Sequence, residues 1–313
     1  MKRILLVIST SIVVAITFVS LKYATFGFLM PKANFGMRAI CKQNDIKDLY
    51  LGSSMFRQGI DSREMGDSTY LLSYSSNRPY LEAMQLKYLL EHGAKFKRLI
   101  VDMYPYSISR KVNLADVKML MDGDLKFTID LFTAMYKNGS SVSRLFEMLF
   151  LENNELFLTL PVSYKYMNDR YDRGSNTSKR HGVTKEELAN KQPHEVENEE
   201  LNPYQAEGLE DIIRICKEHS IDLVFLETPK YKTINEDRVY EKLMKQFSAF
   251  LSERKVKMIL YKKTGDKIKG IVDDSLISTY DFDDGEALFY TDLYHISYEG
   301  RQDLSKRVIN LLQ

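Results

Sequence analysis

The pattern of apolar and polar positions changes character several times along the chain. From Ile4 to Leu21 there is scarcely a pattern at all, because the run is apolar and uncharged, with Lys2 and Arg3 before it and Lys22 after it. A run of this length can cross a bilayer, and the basic residues ahead of it place the N-terminus in the cytoplasm, although Lys22, Lys32, Arg38 and Lys42 weaken that asymmetry. A cleaved signal peptide is the rival reading. The run is long for such a peptide's apolar core, and no small-x-small cleavage site follows.

Beyond residue 24 the pattern switches between strand-like runs and helical spacing. Leu49 to Leu51 predicts a short buried strand running into Gly52, and the polar stretch Asp61 to Ser76 predicts a loop holding one brief strand near Tyr70 to Leu72. Pro79 opens a helix through His92, with Leu81, Met84, Leu86, Tyr88, Leu89 and Leu90 on its buried side and Gly93 ending it. Arg98 to Met103 predicts a strand that Tyr104-Pro105 breaks, and Asp102 at its end reads either as a polar site residue or as a turn cap. After an interruption come a helix from Pro203 to about His219 and the strand Ile221 to Leu226. A helix from about Glu236 to Ser252, a last central strand from Val256 to Tyr261 and a closing helix on Leu304, Val308, Ile309 and Leu312 complete the order.

This alternation predicts α/β architecture: a flavodoxin-like three-layer α/β/α sandwich on a parallel sheet, spanning residues 25–313 after an anchor at 1–24. The interruption, at about 106–200, predicts an insertion. Its first half is apolar and helical, with Phe127, Ile129, Leu131, Phe132, Met135 and Tyr136, then Leu145, Phe146, Met148, Leu149, Phe150, Leu156, Phe157 and Leu158. An extra helical layer is the simpler reading, and a face for a membrane or a membrane partner is the sharper one. The second half, Asp169 to Glu200, is charged and reads as a mobile loop or lid.

Composition narrows the function. Lys and Arg number 44 against 43 Asp and Glu, a formal net charge of +1, so no global field draws nucleic acid. Cys41 and Cys216 form no Cys-x-x-Cys pattern, and Cys216 shares an apolar helical spacing with Leu209, Ile212 and Ile213. His181 and His194 lack a second ligand at metal spacing and read as solvated. The acidic stretch Asp273 to Glu286 lacks the Gly and Glu of a calcium loop and reads as a solvated loop. No phosphate loop, dinucleotide fingerprint or internal repeat occurs, which argues against a kinase or a nicotinamide enzyme, and neither metal nor cofactor is predicted. Twenty tyrosines and no tryptophan would suit a sugar-binding surface.

The candidate chemistry lies at the two ends of the body. Asp48-Leu49-Tyr50-Leu51-Gly52-Ser53-Ser54 reads as a strand delivering serines into a tight turn, where Gly52 permits close backbone approach and a hydroxyl would stand at the carboxyl edge of a sheet. Near the C-terminus, Asp292 stands three residues before His295, with Gly300 five after it. In a turn before a helix, such a carboxylate can fix the imidazole tautomer while the other ring nitrogen acts as base. Taken singly, each end also has a plain reading: a Ser-rich turn, a turn-capping aspartate and a solvated histidine.

Together the two ends resemble the SGNH (GDSL-type) hydrolase family, whose first motif is Gly-Asp-Ser after the first strand and whose last is Asp-x-x-His. On that resemblance Gly52-Ser53-Ser54 matches the first motif, Ser54 is the nucleophile, His295 the base and Asp292 the orienting acid. The Gly-Ser-Ser variant, the N-terminal apolar run and the phrase Leu99-Ile100-Val101-Asp102-Met103-Tyr104-Pro105 resemble the branch containing the D-alanine transfer protein of teichoic-acid modification and the proteins that accompany membrane-bound O-acyltransferases. The family's Gly-x-Asn-Asp motif is absent after the third strand, and Ser73-Tyr74-Ser75-Ser76-Asn77 replaces a second-motif glycine. Asn77 is therefore the candidate oxyanion donor, while Arg57 either holds a phosphate or carboxylate of the substrate or is an exposed positioning charge. The resemblance implies a serine esterase or O-acyltransferase, anchored in the cell membrane with its body outside. Its substrate would be acetyl or D-alanyl esters of an envelope polymer, and its partner a membrane-bound O-acyltransferase. The alternative is a non-catalytic, membrane-tethered accessory protein that recruits such a partner.

Overall fold

The computed structural model describes residues 2–29, 32–111, 119, 122–141, 143, 147, 168–193 and 198–312. Its strands are β1 (Asp48–Gly52), β2 (Thr69–Ser73), β3 (Arg98–Asp102), β4 (Tyr171–Asp172), β5 (Ser175–Asn176), β6 (Asp222–Leu226), β7 (Lys257–Tyr261) and β8 (Ile277–Tyr280). The helices used below are α1 (Lys2–Leu29), α2 (Ser54–Gly59), α3 (Pro79–Glu91), α4 (Pro105–Ser109), α5 (Leu125–Lys137), α6 (Lys185–Ala189), α7 (Pro203–Glu218), α8 (Arg238–Glu253) and α9 (Tyr298–Leu312).

Six strands form one sheet in the order β2-β1-β3-β6-β7-β8, and every pairing in it is parallel. Runs such as Leu49-Tyr50-Leu51, Leu99-Ile100-Val101 and Phe225-Leu226 are buried, as strands covered on both faces must be. Helices α3, α4, α7 and α8 pack as one connected group, whereas α2 and α9 pack against each other. Register brings the strand ends level: Gly52 pairs with Ser73, Leu51 with Val101, and Asp102 with Leu226. The loops that leave this carboxyl edge therefore begin side by side, which is where open α/β sheets hold ligands.

Most expected elements are present within one or two residues of their sequence-read limits. One correction is β8, which falls inside the acidic stretch read as a solvated loop. Its short Ile-Ser-Thr-Tyr run pairs with β7 at the sheet edge, and the acidic residues on either side masked it in the sequence. Another is the stretch Asp169 to Glu200, read as a mobile loop or lid, of which residues 169–193 and 198–200 are described. The β4–β5 hairpin is fastened to the body by Leu71 N–H to Arg173 O at 2.9 Å, Gly174 N–H to Asn34 O at 2.9 Å and Ser62 N–H to Ser175 Oγ at 2.7 Å. The helix α6 is closed by a capping box between Thr184 and Glu187. Low apolar content hid this order, because backbone and capping hydrogen bonds carry it. Leu145, Phe146, Met148, Leu149, Phe150, Leu156, Phe157, Leu158 and His194 lie outside the described residues.

The apolar N-terminal run lies in α1, a single helix. Ile4, Leu6, Val13, Val14, Ile16 and Leu21 are exposed on it. Many of its other side chains are outside the description, and among the described residues no helix is long and apolar enough to cross a membrane. The expectation of a membrane segment at Ile4 to Leu21 thus rests on the sequence.

The hairpin covers the edge strand β2, a position that would otherwise present an unpaired backbone to solvent. Gly174 makes this docking feasible. It has φ of +83°, and a Cβ there would lie 1.7 Å from the Leu71 carbonyl oxygen. Gly174→Ala should detach the hairpin, lower stability by about 2 kcal/mol in chemical denaturation and expose residues 168–180 to proteolysis. Unchanged stability and proteolysis would show that the hairpin does not depend on this contact.

Candidate active site

The turn after β1 is built by three adjacent residues with separate tasks. Gly52 leaves room, since a Cβ at this position would meet Asp102 Cβ at 2.5 Å and Phe56 Cδ2 at 2.9 Å. Ser53 caps α2, its hydroxyl accepting from Met55 N–H at 3.1 Å while donating to Asp102 Oδ2 at 2.6 Å. The Ser53 N–H donates to the same carboxylate oxygen at 3.3 Å. Ser54 follows as the first residue of α2, and its hydroxyl turns outward from the sheet edge.

The partner of that hydroxyl comes from the loop between β8 and α9. Thr291 N–H donates to His295 O at 2.9 Å, Ser297 N–H to Phe289 O at 2.8 Å, and Tyr290 bridges Ile296, so residues 291–295 form a closed turn. Its far side is tied by Tyr231 N–H to Leu293 O at 3.1 Å and Val183 N–H to Tyr290 O at 3.0 Å. Within it, His295 Nε2 lies 2.9 Å from Ser54 Oγ, and His295 Nδ1 lies 2.8 Å from Asp292 Oδ2. The three residues are separated by up to 241 positions in the chain, yet they form one hydrogen-bonded relay of the kind that activates a serine.

Asp292 also accepts the N–H groups of Tyr294 at 2.8 Å and His295 at 2.9 Å. Burial by itself would raise its pKa. The hydrogen bond and charge of His295, with the two backbone donors, overcome that effect and hold it at about 2. The carboxylate is therefore ionised throughout the neutral range and fixes Nδ1 as the protonated ring nitrogen, leaving Nε2 to accept from Ser54.

Ser54 and His295 line a cavity of about 120 Å³ together with Ser76, Asn77, Arg78, Tyr104, Ser107, Arg110 and Tyr294. A larger groove of about 350 Å³ runs between α3, α5 and α7, but none of the relay residues line it. The relay, not the size of the groove, marks the small cavity as the candidate site.

Two sequence expectations need correction. Asn77 lines the cavity, but its amide is committed: Nδ2 donates to Gly52 O and to Gln85 Oε1, both at 3.2 Å, and Oδ1 accepts from Gln85 Nε2 at 2.9 Å. It braces the turn that carries Ser54 instead of presenting a free donor. Arg57 is not among the cavity's lining residues, and its guanidinium donates to Ser75 Oγ at 2.6 Å. The absent Gly-x-Asn-Asp motif makes Asn77 the candidate donor in the sequence, but its amide is used inside the turn, and of the two readings of Arg57 the bond to Ser75 fits a positioning charge.

Sequence reading left Asp102 as either a polar site residue or a turn cap, and it missed the other buried titratable groups behind the site. Asp102, Glu82, Glu227 and Lys230 are all buried. Burial, strengthened by the nearby Asp102, pushes the Glu82 carboxyl well above its usual range. Burial also raises Glu227 to about 7 against hydrogen bonds from Thr264 and Tyr240 and the charge of Lys230, while burial lowers Lys230 to about 8. The available signal was the polar run Glu227-Thr228-Pro229-Lys230 directly after the most apolar strand. Among the described residues no group of three or more His, Cys, Asp or Glu side chains could hold a metal ion.

No protein-family model matches the chain, and comparison with curated proteins finds no match. The functional reading therefore rests on the geometry.

That geometry distinguishes the two adjacent serines. Ser54→Ala and His295→Ala should each abolish labelling by a serine-directed fluorophosphonate while leaving the circular dichroism spectrum unchanged, and Ser53→Ala should label more slowly. Labelling that survives Ser54→Ala but not Ser53→Ala would reassign the nucleophile. Asp292 has a lowered pKa in the folded state, so its ionised form contributes stability that is fully present above the ordinary carboxylate value of about 4 and lost as pH falls through about 2. The stability gap between wild type and Asp292→Asn, measured by urea unfolding, should be constant above about pH 5 and shrink below about pH 4. A gap independent of pH would contradict this assignment.

Proposed function

We propose that this chain is a serine esterase or O-acyltransferase of SGNH type that handles short acyl esters of a cell-envelope polymer. The observation that carries the reading is the continuous Ser54–His295–Asp292 relay at the carboxyl edge of a parallel sheet. The strand order β2-β1-β3-β6-β7-β8 supports the flavodoxin-like form of that reading.

In this mechanism His295 Nε2 takes the Ser54 proton as Oγ bonds to the ester carbonyl carbon, and the backbone N–H of Ser54, at the first position of α2, meets the developing oxyanion. Collapse breaks the bond to the leaving alkoxide, which takes the proton from His295. The acyl-serine is then attacked by a polyol or sugar hydroxyl in transfer, or by water in hydrolysis, with His295 again as base. A cavity of about 120 Å³ suits an acetyl or alanyl group. The apolar run of α1 would anchor the chain in the cytoplasmic membrane with the body outside, where a membrane-bound O-acyltransferase would be its partner.

The commitment of Asn77 to Gly52 and Gln85 favours a second reading, a tethered accessory protein that recruits such a partner without acyl chemistry of its own. Envelope-polymer ester content, measured by NMR in wild type, a deletion strain and Ser54→Ala, separates the two. Loss of ester in both mutants is expected for transfer and a gain in both for hydrolysis. Normal ester in Ser54→Ala with loss in the deletion would establish the accessory reading and end the enzymatic one.

A further inference from the structure

We propose that Arg78 and Arg110 make the cavity beside Ser54 an anion-accepting subsite, so that the ester handled there carries a carboxylate or phosphate close to its carbonyl and a cationic alanyl group is turned away. The proposal rests on the serine-nucleophile reading above and narrows its substrate by charge.

The cavity that Ser54 and His295 line is bordered by two arginines, Arg78 and Arg110, and by no aspartate or glutamate. The arginines come from separate elements, and each is fixed at its backbone. Arg78 caps α3 in the extended conformation that a following proline favours, and its carbonyl accepts Glu82 N–H at 2.9 Å. Arg110 ends α4, and its carbonyl accepts from Gln205 Nε2 on α7 at 3.0 Å. Arg78 is only 8% exposed, so little water screens its charge. The N-terminus of α3, where Arg78 stands, adds partial positive charge on the same side.

The carboxylates nearest the relay face elsewhere. Asp292 meets His295 Nδ1 and two backbone N–H groups, and Asp102 accepts from Ser53 behind the turn. Neither lines the cavity. Volume admits acetyl and alanyl groups alike, so charge is what separates them. An alanyl ammonium would enter beside two guanidinium-bearing residues with no carboxylate on the wall to pair with it, and an unpaired charge in a confined site is costly. An anionic group has the opposite fate, because the planar N–H pairs of a guanidinium match a carboxylate or a phosphate. That group can stand on the acyl side of the ester, as the second carboxylate of a dicarboxylic acyl group, or on the alcohol side, as a phosphate of the polyol.

The test measures how esters of matched shape protect Ser54 from fluorophosphonate labelling: monomethyl succinate against dimethyl succinate, acetylglycerol phosphate against acetylglycerol, and alanine methyl ester against methyl isobutyrate. In wild type at least one anionic ester should half-protect at a concentration about tenfold below that of its neutral twin, and the cationic ester should protect no better than its own twin. Preference for monomethyl succinate puts the anion on the acyl side and preference for the phosphate puts it on the alcohol side; either supports the subsite. Arg110→Gln should bring the anionic-to-neutral ratio to within about threefold of unity, and Arg110→Lys should recover part of it. Arg78→Gln should act in the same direction, and if it fails to fold, the two Arg110 variants carry the test. Equal protection by charged and neutral twins in wild type overturns the proposal, as does tighter protection by alanine methyl ester. A loss of neutral protection in Arg110→Gln as large as the loss of anionic protection also overturns it, since that would mark a structural or oxyanion role. A wild-type protein that does not label overturns the serine reading instead. Calorimetric titration of the same protein with the two anionic esters then decides the subsite, binding that is lost in Arg110→Gln supporting it and no binding overturning it.

Discussion

The ends of β1 and β3 approach more closely than two ordinary side chains would allow, and the site is arranged around that approach. Because position 52 carries no Cβ, the Asp102 carboxylate reaches the backbone and hydroxyl of Ser53. Those bonds set the direction of the first turn of α2 and hence of Ser54. Asn77 reinforces the same turn through the Gly52 carbonyl, and Gln85 completes the amide pair from α3. The strand-to-helix corner is therefore held from β3, from the loop after β2 and from a helix, all meeting at one backbone carbonyl and one hydroxyl.

The second half of the site depends on a different kind of support. Residues 291–295 form a closed turn, but what places that turn opposite Ser54 is a set of backbone hydrogen bonds from distant segments. Tyr231 contributes from the loop after β6, and Val183 from the inserted segment, while Arg180 accepts from Tyr298 at the start of α9. The charged insertion is thus a buttress for the histidine loop. Its polar sequence is compatible with that task because main-chain groups, not apolar side chains, make the contacts.

Electrostatics divides the carboxylates near the site by surroundings rather than by residue type. Asp292 meets a histidine and two N–H groups, which hold its pKa at about 2, whereas burial and the nearby Asp102 push Glu82 well above the usual carboxylate range. Lys230 and Glu227 have values displaced toward each other by burial. One sheet edge can in this way depress one carboxyl pKa and raise others, according to whether donors or apolar burial surround each group.

The sequence by itself determined the alternation of strands and helices, because hydrophobic periodicity is a local property and Pro79, Gly93, Tyr104-Pro105 and Pro203 punctuate it sharply. It also singled out Ser54, Asp292 and His295, since a strand-turn serine and an Asp-x-x-His turn are short-range patterns, and the fold brings the three side chains within hydrogen-bond distance. It did not determine β8, whose four residues acquire strand character only by pairing with β7, nor the docking of the β4–β5 hairpin, which rests on hydrogen bonds to segments more than a hundred residues away. The fates of Asn77 and Arg57 were likewise settled by tertiary structure. The amide of Asn77 pairs with Gln85, and the guanidinium of Arg57 donates to Ser75. Burial follows the same rule: Asp102 and Lys230 are ordinary residues in the linear chain, and only folding removes their water.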